Sequence, residues 1–299
     1  MIELHKYSGA GNDFVVLDGR KEDVSEFRTP ERIAALCDRR TGFAAADGRI
    51  GADGLMILTG DPDYDFRMEY YNSDGSGGMM CGNGGRCIVA FADALGLKPA
   101  DGRVFRFVAA DGEHTGEILA REGDCKTVRL RMIDVHEFRP ALNGWFLDTG
   151  TRHFVRFVPD VEAVDIEKEG YAARWDPLFA PIGANANFVS VDPDGTLRVR
   201  TFEKGVEAET LACGTGITAS AIAAYLEGPA AAVSPLSGCA SLTPDPVRVN
   251  GSETALPRPS GVSVHFGIQA RIARLAVDFR PGQNCFTDVY LTGPADEIR

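Results

Sequence analysis

At 299 residues, 44% of them hydrophobic and 25% charged, the chain has the balance of a folded protein and room for two domains, which argues against disorder. A formal charge of −12 without any cluster of Lys and Arg argues against nucleic acid or another polyanion as partner. Seven cysteines, a start (Met1 to Lys6) without a secretory leader, and no apolar run near the roughly 18 residues of a membrane span point to free thiols in the cytoplasm, not to a disulfide framework or a membrane protein.

Period-two or continuous apolar stretches predict strands at residues 14–17, 55–58, 104–108, 127–132, 188–191, 197–202 and 262–266, each bounded by Gly, Asp or Pro. The first helix is expected after Thr29 as N-cap, with Pro30 at the first helical position and the run ending at Cys37. The next begins at Cys81-Gly82-Asn83-Gly84 and stops at Gly96, with Pro99 beyond. A near copy begins at Cys213-Gly214-Thr215-Gly216 and stops at Gly228, with Pro229 beyond. In both the stop glycine lies fifteen residues after the cysteine. Upstream, Arg67-Met68-Glu69-Tyr70-Tyr71 echoes Arg198-Val199-Arg200-Thr201-Phe202, and Asp13-Phe14-Val15-Val16 echoes Asn187-Phe188-Val189-Ser190. The chain therefore reads as a mixed α/β (α+β) protein of two duplicated domains facing a cleft. Residues 229–261, rich in Pro, Ser, Ala and Gly, read as a surface excursion on the second.

A helix N-terminus presents unpaired amides and a partial positive charge, which favours a thiolate there and seats an anion such as a carboxylate. Two such ends could stabilise the charge that develops when an amino acid loses its α-proton, while one thiolate removes the proton and a thiol on the other face returns one. This chemistry needs two matched thiols and no cofactor. Cys81 and Cys213 are the matched pair, whereas Cys37, Cys87, Cys125, Cys239 and Cys285 lack the setting and are read as structural. Redox chemistry would favour Cys-x-x-Cys and zinc chemistry a ligand cluster, and neither motif occurs.

The motifs, in order, are Ser8-Gly9-Ala10-Gly11-Asn12-Asp13-Phe14, Gly51-Ala52-Asp53-Gly54, Asn72-Ser73-Asp74-Gly75, Met80-Cys81-Gly82-Asn83-Gly84-Gly85-Arg86-Cys87, Asn185-Ala186-Asn187-Phe188, Phe202-Glu203-Lys204-Gly205, Glu209-Thr210-Leu211-Ala212-Cys213-Gly214-Thr215-Gly216 and Leu291-Thr292-Gly293-Pro294-Ala295. In these the chain resembles, over almost its whole length, the diaminopimelate epimerases, which interconvert LL- and meso-diaminopimelate on the route to lysine and bacterial cell wall. The resemblance implies two pseudo-symmetric domains, each a curved mixed sheet wrapped around a central helix, over 1–133 with 287–299 and over 134–286. It implies Cys81 and Cys213 as the acid–base pair, with His153 and Glu203 supporting the thiols or the reacting amino group. It implies an α-carboxylate seat at Gly82, Asn83, Gly214 and Thr215, and substrate contacts from Asn12, Asn72, Asn185, Glu203 and Lys204. It further implies no cofactor or metal, a small amino-acid substrate and a homodimer.

By local chemistry alone, Asn12 and Asn72 also suit plain turns, His153 a packing role and Glu203-Lys204 a solvated pair. The chain departs from the family pattern in three places. Phe43-Ala44-Ala45-Ala46-Asp47-Gly48-Arg49 is inserted before Ile50; of a mobile flap and a passive surface loop, loop statistics favour the second. Gly150-Thr151-Arg152-His153 replaces an amide with a hydroxyl, and Lys204 stands where an arginine fork is usual. The competing readings are a proline or hydroxyproline racemase, which shares the mechanism, and a non-catalytic binding protein on the same scaffold.

Overall fold

Helix α1 (Pro30–Cys37) forms where its cap chemistry directs. Thr29 Oγ1 accepts from the Arg32 amide at 3.3 Å, Pro30 fills the first helical position, and Ile33, Leu36 and Cys37 bury against Val15, Leu17, Leu55 and Ile57. The computed structural model describes residues 2–78, 81–228, 247–249, 252–254 and 262–299. Its contacts divide the chain into unit 1, Met1–Arg131 with Thr292–Arg299, and unit 2, Met132–Leu291.

Unit 1 holds β1 (Leu4–Gly9), β2 (Asn12–Asp18), β3 (Gly54–Thr59), β4 (Phe66–Asn72), helix α2 (Gly82–Ala94), β5 (Val104–Ala109), β6 (Gly112–Glu122) and β7 (Cys125–Arg131). Strands β1 to β7 neighbour one another in that order. The last strand of the chain, numbered β18 below (Phe286–Glu297), pairs its final residues with β7 (Gly293 opposite Val128) and with β1 (Tyr7 opposite Glu297). The sheet thus closes on itself around α2. Every residue of α2 from Gly82 to Ala92 is buried, including Ile88, Val89 and Phe91, each worth roughly 1.5–3 kcal/mol against exposure. A helix buried on every side belongs inside a barrel, not on a surface.

Unit 2 holds β8 (Glu137–Ala141), β9 (Gly144–Asp148), β10 (Arg152–Phe157), the one-turn α3 (Tyr171–Arg174), β11 (Asn185–Val191), β12 (Leu197–Glu203), β13 (Ala208–Thr210), helix α4 (Gly214–Glu227), the small hairpin of β14 (Val247–Val249) and β15 (Ser252–Thr254), β16 (Val264–Gln269), β17 (Arg274–Pro281) and the first half of β18. Its sheet order is β8-β9-β10-β11-β12-β16-β17-β18, with β13 added beside β12. Helix α4 is buried at nearly every position from Gly214 to Leu226.

The duplication is visible in strand sense. The run antiparallel, parallel, antiparallel, parallel, antiparallel occurs from β1 to β6 and again through β9, β10, β11, β12, β16 and β17, with the buried helix following the fourth strand each time. Both units are mixed α/β with a curved sheet around one helix. The echo between 67–71 and 198–202 falls on equivalent strands, β4 and β12. The echo of 13–16 with 187–190 does not, because β2 corresponds to β10 and it is β3 that corresponds to β11.

Other expectations shift in detail. The strand expected at 262–266 starts at Val264 and runs to Gln269. Gly96 follows the C-cap Leu95 at φ 78°, whereas Gly228 is itself the C-cap at φ 92°. The insert at 43–49 forms a hydrogen-bonded turn, with Ala45 N donating to Arg49 O at 3.0 Å and Phe43 packed on the α1 core. The proposed excursion at 229–261 lies outside the described residues except for the β14–β15 hairpin, and Cys239 lies outside them entirely.

Candidate active site

Each unit has one buried helix that starts at a cysteine. In unit 1, Cys81 is the N-cap of α2 in extended backbone, and its carbonyl accepts the Gly85 amide at 2.8 Å. Its side chain does not cap the first-turn amides. Gly9, at the end of β1, permits the close approach of α2, since a Cβ there would collide with the Asn83 carbonyl and Cys87 Sγ. Asn83 and Arg86 on α2 are buried, and Arg86 is completely so.

A directed line of hydrogen bonds runs from Arg86. Its Nη2 donates to Asn83 Oδ1 at 2.8 Å, Asn83 Nδ2 donates to Asn12 Oδ1 at 2.6 Å, and Asn12 Nδ2 donates to Asp53 Oδ2 at 2.9 Å. Because the line starts at a cation and ends at a carboxylate, neither amide can be reversed without losing two bonds. Arg39 pairs with Asp53 and with Asp13, and buried Lys6 pairs with Asp13 at 2.9 Å. Burial pushes the Asp13 carboxyl up, but hydrogen bonds from Arg39 and Lys6 outweigh it and hold the group below the usual carboxylate range. Arg86 also donates to the Gly82 and Pro294 carbonyls, each at 3.3 Å. Burial pulls its guanidinium pKa down, and the nearby sulfurs of Cys87 and Cys81 oppose that shift. Asn72 ends β4 in the row of Phe14 and Gly54, at the same end of the sheet as Asn12, and its amide donates to Ser76 Oγ at 3.0 Å.

In unit 2, Cys213 is the N-cap of α4 in extended backbone and again does not cap its own helix. It is 8% exposed, where Cys81 is half-buried; none of the six described cysteines forms a disulfide. Its Sγ lies 3.4 Å from Thr215 Oγ1. Thr215 Oγ1 is 3.0 Å from His153 Nε2 and 3.1 Å from Thr151 Oγ1, and Thr151 Oγ1 is 2.9 Å from the same ring nitrogen. Burial drives the His153 pKa down to about 3, so the ring is neutral near pH 7. Asn185, opposite His153 on the neighbouring strand, donates to Arg152 O at 3.1 Å and accepts the Lys204 amide at 2.7 Å.

The structure thus joins Asn12, Gly82 and Asn83 to the Cys81 end, and His153, Thr215, Asn185 and the Lys204 backbone to the Cys213 end. Glu203 closes β12, half-buried and opposite Ala208. The exposed Lys204 meets Asn185 through its backbone N–H. Sequence reasoning assigned no role to Arg86, Asp53 or Asn187. A lone arginine in an otherwise apolar helix was the available signal for the first. For Asn187 it was the two-residue step from Asn185, which places both on one face of β11. Among the described residues no group of three or more His, Cys, Asp or Glu could hold a metal ion, and no helix is long and apolar enough to cross a membrane.

Among solved structures, a phenazine biosynthesis PhzF family protein of Bacillus anthracis superposes with a TM-score of 0.67 at 13% identity, covering 100% of this chain and 97% of that one. A hydroxyproline epimerase from Agrobacterium vitis gives 0.60 at 15%, covering 99% and 89%. At such identities the likeness is one of fold. Curated sequences are much nearer. The diaminopimelate epimerase of Flavobacterium psychrophilum is 37% identical over 99% of this chain and 98% of its own length, and that of Chlorobaculum tepidum is 42% identical over 74% and 82%. The sequence profile described as diaminopimelate epimerase matches residues 4–123 and 145–238. On that match and these identities, the chain belongs to the diaminopimelate epimerase family.

Proposed function

We propose that this protein interconverts LL- and meso-diaminopimelate by moving the α-proton between Cys81 and Cys213. The observation that carries the reading is the matched pair of cysteine N-caps, each starting a buried helix whose first turn no N-cap side chain closes. The substrate α-carboxylate takes the amides of Gly82, Asn83, Gly214 and Thr215, where helix ends favour an anion. One sulfur, as thiolate, takes the proton as the Cα–H bond breaks, and the negative charge passes into the carboxylate. The other sulfur, as thiol, delivers its proton to the opposite face, so the centre inverts and the two cysteines exchange protonation states. Asn12, Asn72, Asn185, Glu203 and Lys204 line the pocket and read the substrate's amino groups and distal carboxylate, Lys204 with a point charge where a guanidinium fork would be bidentate. His153 supports the Cys213 end. The enzyme needs no cofactor, works in the cytoplasm and functions as a homodimer.

The test is α-proton exchange of LL- and meso-diaminopimelate with solvent deuterium, using protein treated with chelator and a carbonyl-trapping reagent, with proline and hydroxyproline as competing substrates. Exchange and epimerisation of diaminopimelate alone support the reading, whereas turnover of the imino acids alone overturns the substrate. A Cys81–Cys213 disulfide after mild oxidation, mapped by mass spectrometry, supports two sulfurs able to flank one carbon.

A further inference from the structure

We propose that Asn187 is a positioning residue that fixes the tautomer of His153 and, through Thr215, aims a hydroxyl proton at the Cys213 sulfur. The inference rests on the reading of Cys213 as an acid–base group. Asn187 is fully buried on β11. Its Nδ2 lies 3.0 Å from the Phe154 carbonyl and 3.1 Å from His153 Nδ1, and its Oδ1 lies 2.9 Å from Thr201 Oγ1.

The Phe154 carbonyl decides the polarity. It can only accept, so the amide nitrogen of Asn187 must face it, and the same NH2 group then donates to His153 Nδ1. A neutral imidazole that accepts at Nδ1 carries its hydrogen on Nε2. That hydrogen points at the two hydroxyls of Thr151 and Thr215, which lie within 3.0 Å of Nε2 and 3.1 Å of each other. Thr151 Oγ1, which also receives the Asn185 amide at 3.4 Å, accepts this hydrogen; its own hydrogen then goes to Thr215 Oγ1, and that of Thr215 is left for Cys213 Sγ, 3.4 Å away. The sulfur therefore meets a donor, which favours its thiolate form. Gly216 belongs to the device, because a Cβ there would strike Asn187 Oδ1.

The experiment combines nitrogen-15 NMR of histidine-labelled protein with site-resolved iodoacetamide labelling of Cys213 at pH 7.5, using Cys81 in the same sample as control. In the native protein His153 is expected as the Nε2–H tautomer. Asn187→Asp presents an acceptor to Nδ1, moves the hydrogen there, and leaves Nε2 to accept the Thr215 proton. Labelling of Cys213 then slows about tenfold, the weight of one hydrogen bond to the sulfur, while Cys81 is unchanged. Thr215→Ser retains the native rate and Thr215→Val falls as Asn187→Asp does. A native Nδ1–H tautomer overturns the proposal. So does unchanged Cys213 labelling in Asn187→Asp with the tautomer inverted. If Asn187→Asp does not fold, the native tautomer and the Ser/Val pair still decide. None of these readouts uses diaminopimelate, so a failure of the proposed turnover registers separately.

Discussion

The two cysteine-capped helix starts are furnished with different chemistry. At the Cys81 end the polar groups are strung between full charges, with Arg86 at one extreme and Asp53, Arg39, Asp13 and Lys6 at the other. At the Cys213 end the line of contacts is neutral, built from Asn187, His153, Thr151 and Thr215, and the sulfur is more deeply buried. Buried charges are tolerable only where they are paired or fully hydrogen-bonded, so the first arrangement is rigid but costly to edit. The second carries no full charge, and the order of its hydroxyl hydrogens is set through the amide of Asn187. Duplication preserved the strand order and the helix with its cysteine, and left the groups around each sulfur free to diverge.

The largest effect expected concerns what the two ends share. Cys81→Ala and Cys213→Ala should each lower epimerisation by at least about 10³-fold with the fold intact by circular dichroism, the scale of losing a proton-transfer group. Substantial turnover in either variant breaks the symmetry of roles.

The next test separates the ends. Arg86→Met strips donors from the Asn83 side chain and two backbone carbonyls, and should cost about 3 kcal/mol in urea unfolding. Arg86→Lys should recover only part of that, because an ammonium cannot reach all three acceptors as a guanidinium does. A cost below about 1 kcal/mol for Arg86→Met would mean that the charged end is not held as described.

A pH test sharpens the neutral end. The His153 pKa falls from its ordinary 6.5 to about 3 in the fold. Below pH 6.5 the unfolded chain takes up a proton that the folded chain refuses. This contribution to stability is therefore complete above 6.5 and is lost as pH falls toward 3, at up to about 1.4 kcal/mol per unit. His153→Gln should flatten that slope, and native turnover should show no imidazole limb between pH 6 and 7 from this group. The smallest effect is reserved for Asp53→Asn. Its partner Arg39 is half exposed, so the expected loss is under about 1 kcal/mol and shrinks further in salt.

Much of this was legible beforehand, and for physical reasons. Thr29-Pro30 and the two Cys-Gly-x-Gly starts gave helix boundaries because caps act locally. Strand β3, apolar and buried on both faces, and the Phe188–Val191 half of β11 announced themselves by composition. The strands that passed unnoticed are polar on one side or carry Gly and Pro: β6 is mostly exposed or half-buried and carries Glu113, Glu117, Arg121 and Glu122 with Gly112 and Gly116, β8 contains Pro140, and β18 contains Gly293 and Pro294. The polar partners were hidden for another reason. Asn83 meets Asn12 across 71 positions, and Asn187 meets His153 across 34, so only the folded sheet brings them together.

The closure of unit 1 by residues 292–297 has a consequence for the order in which the chain can finish folding. Emerging from the ribosome, the first 131 residues contain seven strands and their helix, yet β1 and β7 wait with open edges until the final strand is synthesised. Unit 2, contiguous in sequence, needs no such latecomer. Unit 1 must therefore be shielded from its neighbours on the polysome until residues 292–297 have been made, since a bare strand edge recruits other strands.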